Sequence, residues 1–98
     1  MIYVITNVDL KYNFTPDNIS FIFFNPWGFS KSSIKNNFLK AIEGLSINKE
    51  DKIVLIMKPL FFGNRIKIVE RTLLDNFQNV KSLNCLKSPQ FISLDEIA

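Results

Sequence analysis

The chain has 98 residues, of which 47% are hydrophobic and 21% charged, a composition typical of a folded globular protein that excludes a disordered chain. One hydrophobic core suffices at this length, so residues 1–98 are expected to form a single domain. The net charge of +3 is mild and acidic residues are interspersed among the lysines, which favours a solvated surface over a nucleic-acid-binding face.

Missing residue types exclude several kinds of chemistry. The sequence has no histidine and Cys85 is its only cysteine, so histidine-dependent catalysis, disulfides within the chain and histidine or cysteine-rich metal sites are excluded. We expect no catalytic residues, no metal and no cofactor, with Cys85 as a small buried hydrophobe. The longest apolar runs, such as residues 21–24 and 53–57, are far shorter than the about 20 residues of a membrane span, and the N-terminus does not resemble a signal peptide. The expected location is the cytoplasm, without membrane contact.

The first part of the chain predicts two or three strands. Residues 2–6 are apolar on both alternating sides, as in a strand covered on both faces. Residues 8–14 alternate between apolar and polar, a turn is predicted at 15–18, and a further strand follows. One interpretation is a hairpin of residues 8–14 with 19–24. The competing interpretation is an irregular crossover over residues 8–18.

A helix is predicted after the break at residues 25–28. Ser30 is a suitable N-cap, and Gly44 lies where a left-handed C-cap would end the helix. Between and just beyond these positions, apolar residues recur at helical spacing: Ile34, Phe38, Ile42 and Leu45.

The second half repeats the pattern of strand, helix and strand. Residues 53–57 predict a buried strand that ends at Lys58-Pro59, and a second helix begins with Asn64 as N-cap. A last strand is predicted over residues 80–86. Residues 93–96 have the pattern of a capping box, either in a docked turn or at the trimmed start of a helix.

Strands that alternate with helices predict an α/β fold: a single small domain with a mixed or partly parallel sheet of four to five strands and two main helices, in the order β-(β)-β-α-β-α-β. Right-handed crossovers would make the strands at 19–24, 53–57 and 80–86 three parallel neighbours. With two full helices, one sheet face is expected to be incompletely covered. The apolar helix residues predicted to be mostly buried are Ile34, Phe38, Ile42, Ile66, Val69, Leu73 and Phe77.

Two loops are expected at the carboxyl ends of the strands, where parallel α/β sheets bind ligands. They span residues 25–33 and 58–65, and both lead into helix N-termini, which attract anions. One hypothesis is an anion-binding site; the other is that Ser30 and Asn64 simply cap their helices, which the lack of a glycine-rich phosphate-loop motif favours. The residues that could surround an anion are Ser30, Lys31, Ser32, Ser33, Lys58 and Arg65.

The same loops contain aromatic residues that either pack as local core or form an interface. Trp and other aromatic side chains are the usual anchors of protein–protein interfaces. Core packing is favoured for Phe61 and Phe62, whereas Trp27 and Phe29 fit either hypothesis. The predicted partner-binding residues are Trp27, Phe29, Lys31, Phe61, Phe62 and Arg65.

These observations favour a small non-enzymatic protein that binds another protein, such as a toxin-neutralising immunity protein or a phage-type inhibitor. Heavy use of Lys, Asn and Ile suggests an AT-rich gene of bacterial or phage origin, although the basic charge is unlike that of many nuclease-neutralising proteins. The alternative is a protein that binds an anion, a nucleotide or nucleic acid at the carboxyl ends of the strands. A third hypothesis is a fragment of a larger α/β enzyme.

Overall fold

A computed structural model describes residues 1–8, 16–26, 28–58, 64–84 and Ile97. The described elements alternate between strands and helices, which confirms the predicted α/β class with its two main helices. Their bounds are β1 Ile2–Thr6, β2 Ile19–Phe23, α1 Lys31–Glu43, β3 Lys52–Met57, α2 Asn64–Asn76 and β4 Asn79–Asn84.

The four strands form one parallel sheet in the order β2-β1-β3-β4. The predicted parallel direction of β2, β3 and β4 and the pairing of β3 with β4 are confirmed. The prediction that β2 and β3 are neighbours is wrong, because β1 lies between them. Both central strands are apolar on both sides, with Val4 of β1 opposite Phe21 of β2 and Val54 of β3. The more polar β4, which contains Lys81 and Ser82, lies at an edge. Central strands have both faces covered, so the most apolar segments take these places.

Several predicted segments lie outside the described residues. Of the hairpin strand predicted at 8–14, the structure describes only Val8, whose N–H donates to Thr6 Oγ1 at 3.1 Å in a turn that ends β1. Residues 85–86 of the last predicted strand, including Cys85, and the capping box at 93–96 are also outside this part of the chain.

The main core lies between one face of the sheet and the two helices. At its centre, Phe38 of α1 is fully buried and meets Phe24 edge to face, with 5.1 Å between the ring centroids. Ile66 and Phe77, predicted to be mostly buried, are half-buried at the margin of this cluster. The buried members are Ile5, Ile34, Phe38, Ile42, Ile53, Leu55, Met57, Val69 and Leu73.

A second, smaller core covers the opposite face of the sheet. Val4, Val54 and Ile56 are fully buried there, and Ile97 packs against them with no exposed surface. The expectation of an incompletely covered face is therefore wrong at the centre of the sheet. The end of the chain contributes to this cover through Ile97.

The ends of α1 match the prediction at one terminus only. Ser30 is the N-cap: it has extended backbone geometry and its Oγ accepts a hydrogen bond from the Ser33 N–H at 3.1 Å. The predicted left-handed C-cap at Gly44 is wrong, since its φ is −77° and the positive φ occurs at Ser46. The last turn tightens instead, with the Leu45 N–H bonded to the Ile42 carbonyl at 3.1 Å. Leu45 then lies outside the apolar stripe and is 37% exposed.

Each of the two long helices has 13 residues. Within the described part of the chain, no helix is long and apolar enough to cross a membrane.

Replacement of Phe38 by Ala should destabilise the protein by about 3–5 kcal/mol, from lost burial and the cavity left behind. Leu74→Ala on α2 is the control, because Leu74 is 53% exposed and its loss should cost less than about 0.5 kcal/mol. Urea unfolding followed by circular dichroism measures both. Equal unfolding midpoints for the two variants would contradict the placement of Phe38 at the centre of the core.

Candidate functional site

The parallel strands all end at one edge of the sheet, and the N-terminal ends of α1 and α2 follow β2 and β3 there. Along the chain, β1 leads to β2, which is its neighbour on one side in the sheet. In turn, β3 leads to β4, which is its neighbour on the opposite side. The point between β1 and β3 is therefore the topological switch point, where open α/β sheets usually bind ligands.

Asn7 spans this switch point. Its Oδ1 accepts a hydrogen bond from the Lys58 N–H at 2.9 Å, and its Nδ2 donates to the Lys58 carbonyl oxygen at 3.0 Å. The side-chain amide thus continues the pairing of β1 and β3 beyond their last residues and satisfies both main-chain groups of Lys58. Sequence reasoning missed Asn7, although an asparagine directly after a buried strand is a detectable signal.

The serines of the predicted anion site are part of the α1 cap. Ser30 Oγ accepts from the Ser33 N–H and its hydroxyl donates to Ser33 Oγ at 3.0 Å. Lys31 and Ser32 line a groove toward α2, whereas Ser33 lines a different groove beside Phe29. The predicted anion-binding residues of α1 are therefore divided between two sides of the helix.

The remaining predicted site residues have different places. Lys58 follows β3 and its side chain is exposed, whereas Arg65 is half-buried in the first turn of α2. Trp27, Phe61 and Phe62 lie outside the described residues, so their assignment to a partner-binding surface stays a prediction.

Phe29 has a large apolar side chain that is exposed to solvent. It is 93% exposed, although Gly28 before it is buried and Ser30 after it caps α1. Gly28 has a φ of +154°, and a Cβ at this position would lie 2.9 Å from the Ile34 main-chain nitrogen. The close approach of Gly28 to the first turn and the cap at Ser30 fix the main chain on both sides of Phe29.

A shallow groove of about 310 Å³ runs beside Phe29 along α1. We name it the Phe29 surface, and its described lining contains an aromatic side chain, polar groups and one lysine but no acidic residue. Its described lining consists of Gly28, Phe29, Ser33, Asn36, Asn37 and Lys40.

A second groove, of about 490 Å³, lies between α1 and α2, which we name the interhelical groove. Lys31 and Lys35 line it from α1, and Lys67 and Arg71 line it from α2. Arg71 Nε lies 3.5 Å from Asp75 Oδ1 in an exposed ion pair within the same groove. The sequence shows these cations as two pairs spaced by four residues, but only the packing of the helices brings the pairs together.

The described residues contain no group of three or more acidic or cysteine side chains that could hold a metal ion. At the switch point, the side-chain amide of Asn7 and the main-chain groups of Lys58 already bond to each other. The Phe29 surface and the interhelical groove are the two described grooves that contain residues predicted from the sequence as site residues.

Gly28→Ala should destabilise the protein by about 1–3 kcal/mol, because an L side chain is strained at this φ and its Cβ would meet the first turn of α1. Gly44→Ala is the matched control. At Gly44 φ is −77° and no atom lies within 4 Å of an added Cβ, so this variant should gain about 0.4–1 kcal/mol. Thermal and urea unfolding of both variants checks that their changes in stability have opposite signs. Unchanged stability in Gly28→Ala would contradict the close approach of Gly28 to the first turn of α1.

Asn7→Ala should cost about 1–2 kcal/mol, because two hydrogen bonds to the main chain of Lys58 are lost. Asn7→Asp should not recover this loss, since its carboxylate still accepts from the Lys58 N–H but sets a second acceptor oxygen against the Lys58 carbonyl. Asn36→Ala, at an exposed position of α1, is the control and should not destabilise the protein. Urea unfolding measures the stability of all three variants. If Asn7→Ala is as stable as the unmodified protein, the Asn7–Lys58 hydrogen bonds contribute nothing to stability.

Comparisons with protein-family models, curated proteins and solved structures found no match to this chain. The proposals below rest on its own residues and geometry.

Proposed function

We propose that this protein is a small non-enzymatic binding protein that recognises another protein through the Phe29 surface, in the manner of a toxin-neutralising immunity protein or a phage-type inhibitor. The observation that carries the proposal is the 93% exposure of Phe29. Burial of this ring by a partner would remove its apolar surface from water, which contributes favourably to association.

The main chain around Phe29 supports the same proposal. Buried Gly28 and the cap at Ser30 hold the segment in one conformation, so little conformational entropy is lost when a partner covers the ring. The exposed polar side chains Asn36 and Lys40 beside it supply hydrogen-bonding groups for the rim of an interface. An aromatic anchor within a polar rim is the usual anatomy of a binding hot spot.

The alternative function, binding of an anion or nucleotide at the carboxyl ends of the strands, has less support. The Asn7 bridge satisfies the main chain of Lys58 at the switch point, and Ser30 and Ser33 are bonded to each other in the α1 cap. Lys31 and Arg65 are the cationic residues on which this alternative depends.

A partner can be identified by placing a photo-crosslinking phenylalanine analogue at position 29 in cells, with the same analogue at position 23 as control. Phe23 is the other strongly exposed phenylalanine of the described chain, at 65%, and it lies on β2. The expected result is a crosslinked protein that depends on position 29. Crosslinks of equal pattern from both positions would indicate contacts without specificity.

With the purified partner, Phe29→Ala should weaken binding by about 2 kcal/mol, or roughly thirtyfold in Kd, without loss of stability. Phe23→Ala is the matched control and should change Kd less than about twofold. Isothermal titration calorimetry measures both. If Phe29→Ala has no effect, and the protein instead binds inorganic phosphate with an affinity that falls steeply with salt and is lost in Arg65→Ala, the anion-binding alternative replaces the proposal.

A further inference from the structure

The interhelical groove gathers positive charge on both of its walls. Lys31 and Lys35 lie one helical turn apart on α1, and Lys67 and Arg71 lie one turn apart on α2. Asp75 is the one acidic residue of the described lining, and it is paired with Arg71. Within the described chain, the three lysines of the groove have no ion-pair partner.

These helices account for the charge of the whole protein. Together α1 and α2 contain six Lys or Arg and three Asp or Glu, so their net charge of +3 equals that of the entire chain. Cations held on two facing walls repel each other, and an anionic ligand between them relieves this repulsion. The charge therefore favours an acidic occupant of the groove.

The chemistry of the groove favours a protein segment over a nucleic acid. Its described lining contains no aromatic side chain on which a base could stack, and Asp75 would repel a continuous phosphate backbone at one end. Ile68, half-buried, adds an apolar side chain to the lining, as an amphipathic peptide requires.

We infer that the interhelical groove binds an acidic, amphipathic segment of the partner protein, with carboxylates on Lys31, Lys35 and Lys67 and an apolar side chain toward Ile68. This inference deepens the proposed function and rests on it, because the segment belongs to the same partner that covers Phe29. Both surfaces share α1, with Phe29, Ser33 and Asn36 on one side and Lys31 and Lys35 on the other.

Fluorescence anisotropy of the full chain tests the groove with three labelled probes. They are a short peptide of alternating glutamate and leucine, the same peptide with glutamine in place of glutamate, and a single-stranded oligothymidylate of equal charge. The glutamate peptide should bind at low salt, and its affinity should fall as salt is added. The glutamine peptide should not bind.

Single charge reversals locate the site. Lys35→Glu and Lys67→Glu should each raise the Kd of the glutamate peptide about tenfold, because each places a like charge beside the ligand. Lys49→Glu is the matched control: it changes the net charge equally, but Lys49 is exposed in the loop before β3, and the Kd should change less than about twofold. Circular dichroism and thermal unfolding check that the variants are folded.

Three results would overturn the inference: no binding of the glutamate peptide at low salt, an equal loss of affinity in Lys49→Glu, or tighter binding of the oligothymidylate. Phe29→Ala separates this inference from the proposed function, because Phe29 does not line the interhelical groove. Peptide binding should be the same in Phe29→Ala as in the unmodified chain. If the glutamate peptide binds as expected but Phe29→Ala leaves the affinity for the partner unchanged, the proposal for the Phe29 surface is wrong and the inference about the interhelical groove stands.

Discussion

The pairing of β1 with β3 at the centre of the sheet is the constraint on which the rest of the structure depends. Val4, Ile5 and the run from Ile53 to Ile56 have no exposed surface, so both faces of these strands must be covered. The helices cover one face, and Ile97 packs against the other. Because all four strands are parallel, their carboxyl ends meet at one edge, and the chain reaches α1 and α2 from there.

This arrangement fixes the N-terminal end of α1 and with it the Phe29 surface. Ile34 and Phe38 anchor the helix in the core, and Gly28 approaches its first turn so closely that a Cβ would not fit. The tight approach of Gly28 and the cap at Ser30 thus constrain the main chain on both sides of Phe29. A rigid segment that presents an apolar ring is suited to recognition because the entropy of ordering it is lost during folding, before a partner arrives.

The same packing creates the interhelical groove. Val69 and Leu73 bury α2 against the sheet beside α1, and the outer sides of both helices then bring their lysines to facing walls. Exposed charges of this kind contribute little to the free energy of unfolding, so they are free to serve binding. By contrast, the edge of the sheet between β1 and β3, the usual ligand site of the fold, is spanned by Asn7.

The sequence by itself determined the local elements: the central strands with two apolar faces, the Ser30 cap and the Ile34, Phe38 and Ile42 stripe follow from the pattern of near neighbours. For Phe29, the sequence left two hypotheses open, a residue of the local core and a residue of an exposed interface. Tertiary structure decided the place of β1 between β2 and β3 and brought Lys35 and Lys67 to the same groove. Local spacing encodes which side of an element is apolar, but which apolar sides meet depends on the competition among all pairings of the chain.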